Sequence, residues 1–314
     1  MGYSYHINYG TKTLKRTPST SKMSNSNRSL MSIFLAGDCM LGRGIDASCK
    51  QSCNPQLHEG YCTSALDYVQ LAEQHSGPIP RSCAPSYFWG SALKILDQYQ
   101  PHARIINLET SVTERESFAR EKGIHYRMHP QNLQILKDAD IDAVSLANNH
   151  VADFGPGGLV DTINELKKAD VKYAGAGMCA AEAEACALIP VQLRKEGAHT
   201  DKPQGRILLY STCHPSSGVP PHWSATPSHP GVHMTDLSSQ SVHKLSLRIA
   251  EDRKEDSNDV VLLAIHWGGN WGYDIDPSFT QYAHDVIDQA GVDVVFGHPS
   301  HHPQTVEIDH IWCW

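Results

Sequence analysis

Six short apolar runs constrain this chain more than any other feature of it. Residues 33–36, 104–106, 143–146, 207–210, 260–265 and 292–296 are rich in Ile, Val, Leu and Ala and are mostly unbroken by polar residues. A strand with one wet face alternates apolar and polar side chains, whereas a strand covered on both faces does not. The runs therefore predict strands buried on both faces. Between them, residues 89–99, 133–139, 159–169 and 279–290 space their apolar side chains by three and four, as in Leu159, Ile163 and Leu166, which predicts helices. Such alternation defines an α/β domain. With 314 residues and 40% hydrophobic content, the chain can bury its core.

Five of the strands run directly into polar residues at their C-terminal ends. The ends read Gly37-Asp38, Asn107-Leu108-Glu109, Asn148-Asn149-His150, His266-Trp267-Gly268 and Gly297-His298, the last followed by His301 and His302. In open α/β sheets the ligand crevice lies outside those ends. Asp38, Glu109, Asn149, His150, His266, His298 and His301 are thus expected to converge although they are far apart in sequence. Two carboxylates, an amide oxygen and several imidazoles make a mixed nitrogen and oxygen shell that suits Mn, Zn or Fe(II). One or two such ions polarise a phosphoryl oxygen and generate hydroxide near neutral pH, so hydrolysis of a phosphoester or related anionic bond is the expected chemistry. Arg43, one turn beyond Asp38, is expected to reach the anionic substrate with its bidentate fork.

The remaining composition narrows the setting. The net charge is −8, but residues 1–30 carry five basic and no acidic side chains, so the body is more acidic still and is not expected to bind nucleic acid. Those thirty residues, rich in Ser, Thr, Asn and Lys, predict a disordered tail ahead of a domain spanning 31–314. No run of eighteen apolar residues and no signal-type apolar stretch occurs, so a cytoplasmic chain without a membrane segment is expected. The Ser-rich basic start also resembles a mitochondrial transit peptide, though it has few arginines. Nine scattered cysteines do not form a disulfide framework, and five prolines in 215–230 predict a long irregular loop.

Five segments carry a specific resemblance: GDCMLGR (37–43), NLETSVT (107–113), SLANNHVADFG (145–155), HWGGNWGY (266–273) and GHPSHHPQ (297–304). In order and spacing the chain resembles the CapA-type proteins named for poly-γ-glutamate capsule synthesis, which have a calcineurin-like metallophosphoesterase fold. The resemblance implies an αββα sandwich of two mixed sheets flanked by helices, with metals between the sheets at one edge. It implies Asp38, Glu109 as the bridging acid, Asn149, His266, His298 and His301 as ligands, and His150 as the general acid. Met40 stands where the wider superfamily has a His ligand, and Glu109 is one methylene longer than the usual Asp. The family continues past the last His motif through a further strand, so an end truncated at Trp314, with an unpaired sheet edge, is expected. The family name also implies an alternative: a non-hydrolytic component of γ-linked polyglutamate synthesis or transport. A further alternative is a metal-binding protein with a weakened site. No GxxxxGK[ST] phosphate loop is present, which counts against autonomous ATP-driven ligation.

Overall fold

The structure, a computed structural model, describes residues 3–8, 30–192, 205–254, 259–308 and 312–313, with side chains described from residue 31 to 308 within these ranges. The first sheet is built in chain order from β1 (Tyr3–Asn8), β2 (Leu30–Cys39), β3 (Ala103–Leu108), β4 (Ala143–Ser145) and β5 (Lys172–Ala174). Strands β2 to β5 are parallel, and β1 lies antiparallel on the outer edge of β2. The second sheet contains β6 (Ala187–Val191), β7 (Gly205–Cys213), β8 (Asp259–His266), β9 (Val294–His298), β10 (Val306–Glu307) and β11 (Trp312–Cys313). Its order is β10-β11-β9-β8-β7-β6, with β7, β8, β9 and β11 parallel and an antiparallel strand at each edge.

Side-chain parity along these strands creates three apolar layers. Ile33, Leu35 and Ile105 from the first sheet meet Ile207, Leu209, Leu262 and Phe296 from the second, forming the interior of the sandwich. On the opposite parity, Ile106, Val144 and Leu146 pack against Ile135, Leu136, Leu159, Ile163 and Leu166, which belong to helices Gln134–Asp138 and Gly155–Lys168. Leu208, Tyr210, Val261 and Leu263 pack outward against Val242, Leu245, Ile249 and Tyr282, from helices Ser239–Asp252 and Pro277–Asp285. The architecture is the expected αββα sandwich of two mixed sheets. Among the described residues no helix is long and apolar enough to cross a membrane.

Two short strands near the ends of the described residues add to these sheets. Tyr3–Asn8, within the segment expected to be an irregular tail, is a strand, consistent with its aromatic and β-branched content; residues 9–29 lie outside the described residues. Trp312–Cys313 pairs in parallel with Val295 and Phe296 of β9.

One irregularity in β2 sets the functional geometry. The β2–β3 register slips between Ala36 and Asp38, leaving Gly37 as a bulge. A bulge inserts one residue and so reverses the facing of the side chains after it. Ile33 and Leu35 point inward, and without the slip Asp38 would point out toward the helices. With it, Asp38 faces the second sheet at the end where His266 and His298 stand side by side in register.

Candidate metal centre

Asp38, His266 and His298 form one tight group whose donor atoms all lie within 4.8 Å of one another. Asp38 Oδ1 is 3.8 Å from His266 Nδ1 and 3.6 Å from His298 Nδ1, and the two imidazole nitrogens are 2.6 Å apart. Asn149 joins the group through its Oδ1, 3.0 Å from His266 Nε2. The carboxylate is held from behind: Asn107 Nδ2 donates to Asp38 Oδ1 (2.7 Å), and Asn148 Nδ2 donates to Asn107 Oδ1 (3.0 Å). Asn148 Oδ1 in turn accepts the backbone N–H groups of His150 and Val151, fixing the turn that carries Asn149.

The electrostatics favour ligand protonation states. Burial drives His298 down to about 3, and burial with the neighbouring His298 ring holds His266 well below the ordinary imidazole range, so both rings are neutral at neutral pH. Burial lifts Asp38 to about 6 against the pull of the Asn107 hydrogen bond. A neutral imidazole pair beside a carboxylate is the form a divalent ion requires. Two atoms of the group, Asp38 Oδ2 and His298 Nε2, are buried with no hydrogen-bond partner. Each such orphan costs about 1–3 kcal/mol, and a bound cation would relieve this cost. The donor set therefore fits a first-row divalent ion.

Glu109 and His150 stand beside this group. His150 Nε2 is 3.8 Å from Glu109 Oε1, while Nδ1 lies 2.6 Å from Asp153 Oδ2. That second contact assigns the ring proton to Nδ1 and leaves Nε2 bare. Tyr126 stacks on the His150 ring at 3.8 Å between centroids. Burial, reinforced by Asp38 and Asp153 and opposed by Lys122, raises Glu109 to about 9.

Two sequence-expected residues sit elsewhere. His301 is exposed on the rim, its N–H bonded to Asn270 and its ring edge-on to Trp271. Trp271 and Tyr273 also stand exposed there. Arg43, expected to present an open fork, instead donates its Nε–H to Glu59 Oε1 (2.8 Å), and its Nη2 stands 2.6 Å from the same oxygen as an ion pair. Its guanidinium is held between the rings of Tyr68 and Tyr126, each 4.6 Å from it. Arg43 has φ +50, a left-handed conformation costly for a side chain of this size, and these contacts fix it there. It therefore stands one ring behind His150. The side chain missed entirely is Lys122, whose Nζ contacts the carbonyl of Asn149 and Oδ1 of Asp153. A cavity of about 550 Å³ lies on the outer face of the second sheet, among residues such as Thr212, Lys244, Arg248 and Tyr282, away from these groups.

An αββα sandwich of two mixed sheets, with two imidazoles and a carboxylate meeting at its strand ends, defines the class of protein to which the chain belongs. Within that class, the family described as bacterial capsule synthesis protein PGA_cap matches residues 32–310, and the chain belongs to this CapA-type family. A Mycobacterium tuberculosis protein named as a polyglutamine synthesis accessory protein is 37% identical over 284 residues, covering 90% of this chain and 71% of the relative. The Bacillus subtilis PGA biosynthesis protein CapA is 24% identical over 290 residues, 92% of this chain and 62% of that protein. The Bacillus anthracis capsule biosynthesis protein CapA is 27% identical over 190 residues, 60% and 41% of the two chains.

Proposed function

We propose that the chain is a metal-dependent hydrolase of a phosphoester or related anionic bond, working in the production of a polyglutamate-type polymer. The observation that carries this reading is the group of Asp38, His266 and His298 with two buried donor atoms left unpartnered. Asp38, His266 and His298 would hold the ion, with Asn149 and Glu109 completing the shell. When bound, Mn, Zn or Fe(II) supplies Lewis acidity toward an anionic oxygen and lowers the pKa of water.

The remaining chemistry belongs to the chain. Asp153 orients His150 by accepting its Nδ1 proton, and burial keeps the ring in its base form. His150 Nε2 therefore takes a proton from the attacking water before it can deliver one to the leaving oxygen. The general-acid role expected from the sequence is the second half of that transfer. Tyr126, stacked on the ring and backed by Arg43, limits its rotation.

The test is turnover of a panel of phosphomonoesters, phosphodiesters and γ-linked glutamate oligomers with Mn, Zn or Fe(II) added, alongside elemental analysis. Metal-dependent turnover of any of these supports the proposal. Bound metal with no turnover of any of them would select a second reading suggested by the relatives' names, a non-hydrolytic component of polymer synthesis. A protein that binds no metal and turns over nothing contradicts the hydrolase reading.

A further inference from the structure

Lys122 lies between the paired short strands Ser111–Val112 and Arg127–Met128, in a stretch with no regular secondary structure. Its ammonium is nevertheless placed inside the site. It contacts the Asn149 carbonyl and Asp153 Oδ1, and lies 3.4 Å from His150 Nδ1. The ring of Trp223, a buried residue from the proline-rich loop, covers it at 5.0 Å. The flanking backbone is pinned to the same turn: Ala119 N–H donates to the Asp153 carbonyl (2.8 Å) and Tyr126 N–H to Asp153 Oδ2 (2.7 Å). The lysine side chain is 13% exposed, so this is a fixed internal cation rather than a solvated surface one.

The groups it meets are a carbonyl oxygen and a carboxylate oxygen, which a first-row divalent ion would also take, beside the protonated Nδ1 of His150, which offers it no lone pair. Among the described residues only one group of three His, Cys, Asp or Glu donors converges, that of Asp38, His266 and His298. Asp153 is a fully buried carboxylate of the same crevice, and a buried charge requires a partner of opposite sign. We propose that the Lys122 ammonium is the second cation of the crevice, taking the place that a second metal ion would fill, so that the chain holds one ion and not two. This inference rests on the metal-binding reading above and adds its stoichiometry. Lys122 is then a positioning residue: it anchors the Asn149 backbone and Asp153, and through Asp153 the His150 ring.

The experiment counts ions. The full chain and its variants are equilibrated with Mn²⁺, dialysed to equilibrium and analysed for metal per chain, with circular dichroism confirming the fold. The wild type and Lys122→Arg are expected to hold one ion. Lys122→Met uncovers the Asn149 carbonyl and Asp153 and is expected to gain a second, while Lys122→Met/Asp153→Asn, which removes both charges and so avoids a buried unpaired carboxylate, returns to one. A folded Lys122→Met that stays at one ion overturns the proposal. Two ions in the wild type overturn it whether or not any variant folds, and leave the metal reading standing. No ion in the wild type overturns the metal reading itself, and this inference with it.

Discussion

Asp38, His266 and His298 meet with two buried polar atoms unmatched, whereas around His150, in the same crevice, the charges are matched within the chain. Asp153 accepts the ring proton of His150 on one oxygen and the Lys122 ammonium on the other. The first half leaves donor atoms unmatched, whereas the second pairs its buried carboxylate with an ammonium. The hydrogen-bond pattern thus separates the side chains proposed to hold an ion from those proposed to position and carry a proton.

The contrast can be broken most severely on the metal side. Asp38→Asn is expected to weaken Mn²⁺ affinity by more than about 100-fold in calorimetric titration, because loss of an outer-shell partner alone costs about 10–100-fold. An affinity unchanged from wild type would mean that Asp38 is a turn residue. On the proton side, His150→Ala should leave metal content intact and lower hydrolytic turnover by about 10²-fold. Parallel loss of metal and turnover in that variant would erase the distinction between the two halves.

A gentler cut tests the support of the metal half. Asn107→Ala removes the amide that holds Asp38 Oδ1 and is expected to cost about 10-fold in metal affinity, at the low end of outer-shell effects. Calorimetry on this variant would show no change if Asp38 were positioned by the bulge alone.

The smallest expected effect is a pH dependence. Glu109 rises from 4.5 to about 9 through burial, so between those values the metal-free fold binds more protons than the unfolded chain and loses stability as pH rises. Burial lowers His266 and His298, whose effect is complete below the ordinary imidazole value near 6.5. Between pH 7 and 8 the Glu109 contribution therefore dominates, before the buried Cys39, Cys49, Cys53 and Cys186, raised from 9.0 to about 12, add a loss of the same sign. The metal-free Tm is expected to fall by a few °C over that interval, at roughly 2–4 °C per kcal/mol or less for a chain of this size. Glu109→Gln should flatten the slope in thermal melts; an equally steep slope in the variant would assign it elsewhere.

The parts legible in the sequence are those fixed by sheet periodicity. Unbroken apolar runs located the central strands, and their last residues named Asp38, His266 and His298. Edge strands escaped for a physical reason: Ala187–Val191 alternates buried and exposed positions and contains Pro190, which an edge tolerates and a centre does not. Side chains delivered by loops escaped for another. Lys122 lies in the charged segment 114–123, where nothing in the spacing distinguishes an inward lysine from a solvated one. Arg43 does stand near Asp38 in the chain, but Glu59, sixteen residues on, takes its fork, a pairing that only the tertiary fold decides. The histidines at 301 and 302 are dense enough to attract attention, yet the turn after β9 leaves His301 at the surface.

Whether Asp38, His266 and His298 together hold a divalent ion is tested most directly by anomalous diffraction from crystals soaked in Mn²⁺. The expected result is a single strong anomalous peak bonded to all three side chains. A map with no peak among them at saturating Mn²⁺, or with its only peak on the exposed His301 and His302 rim, would contradict it.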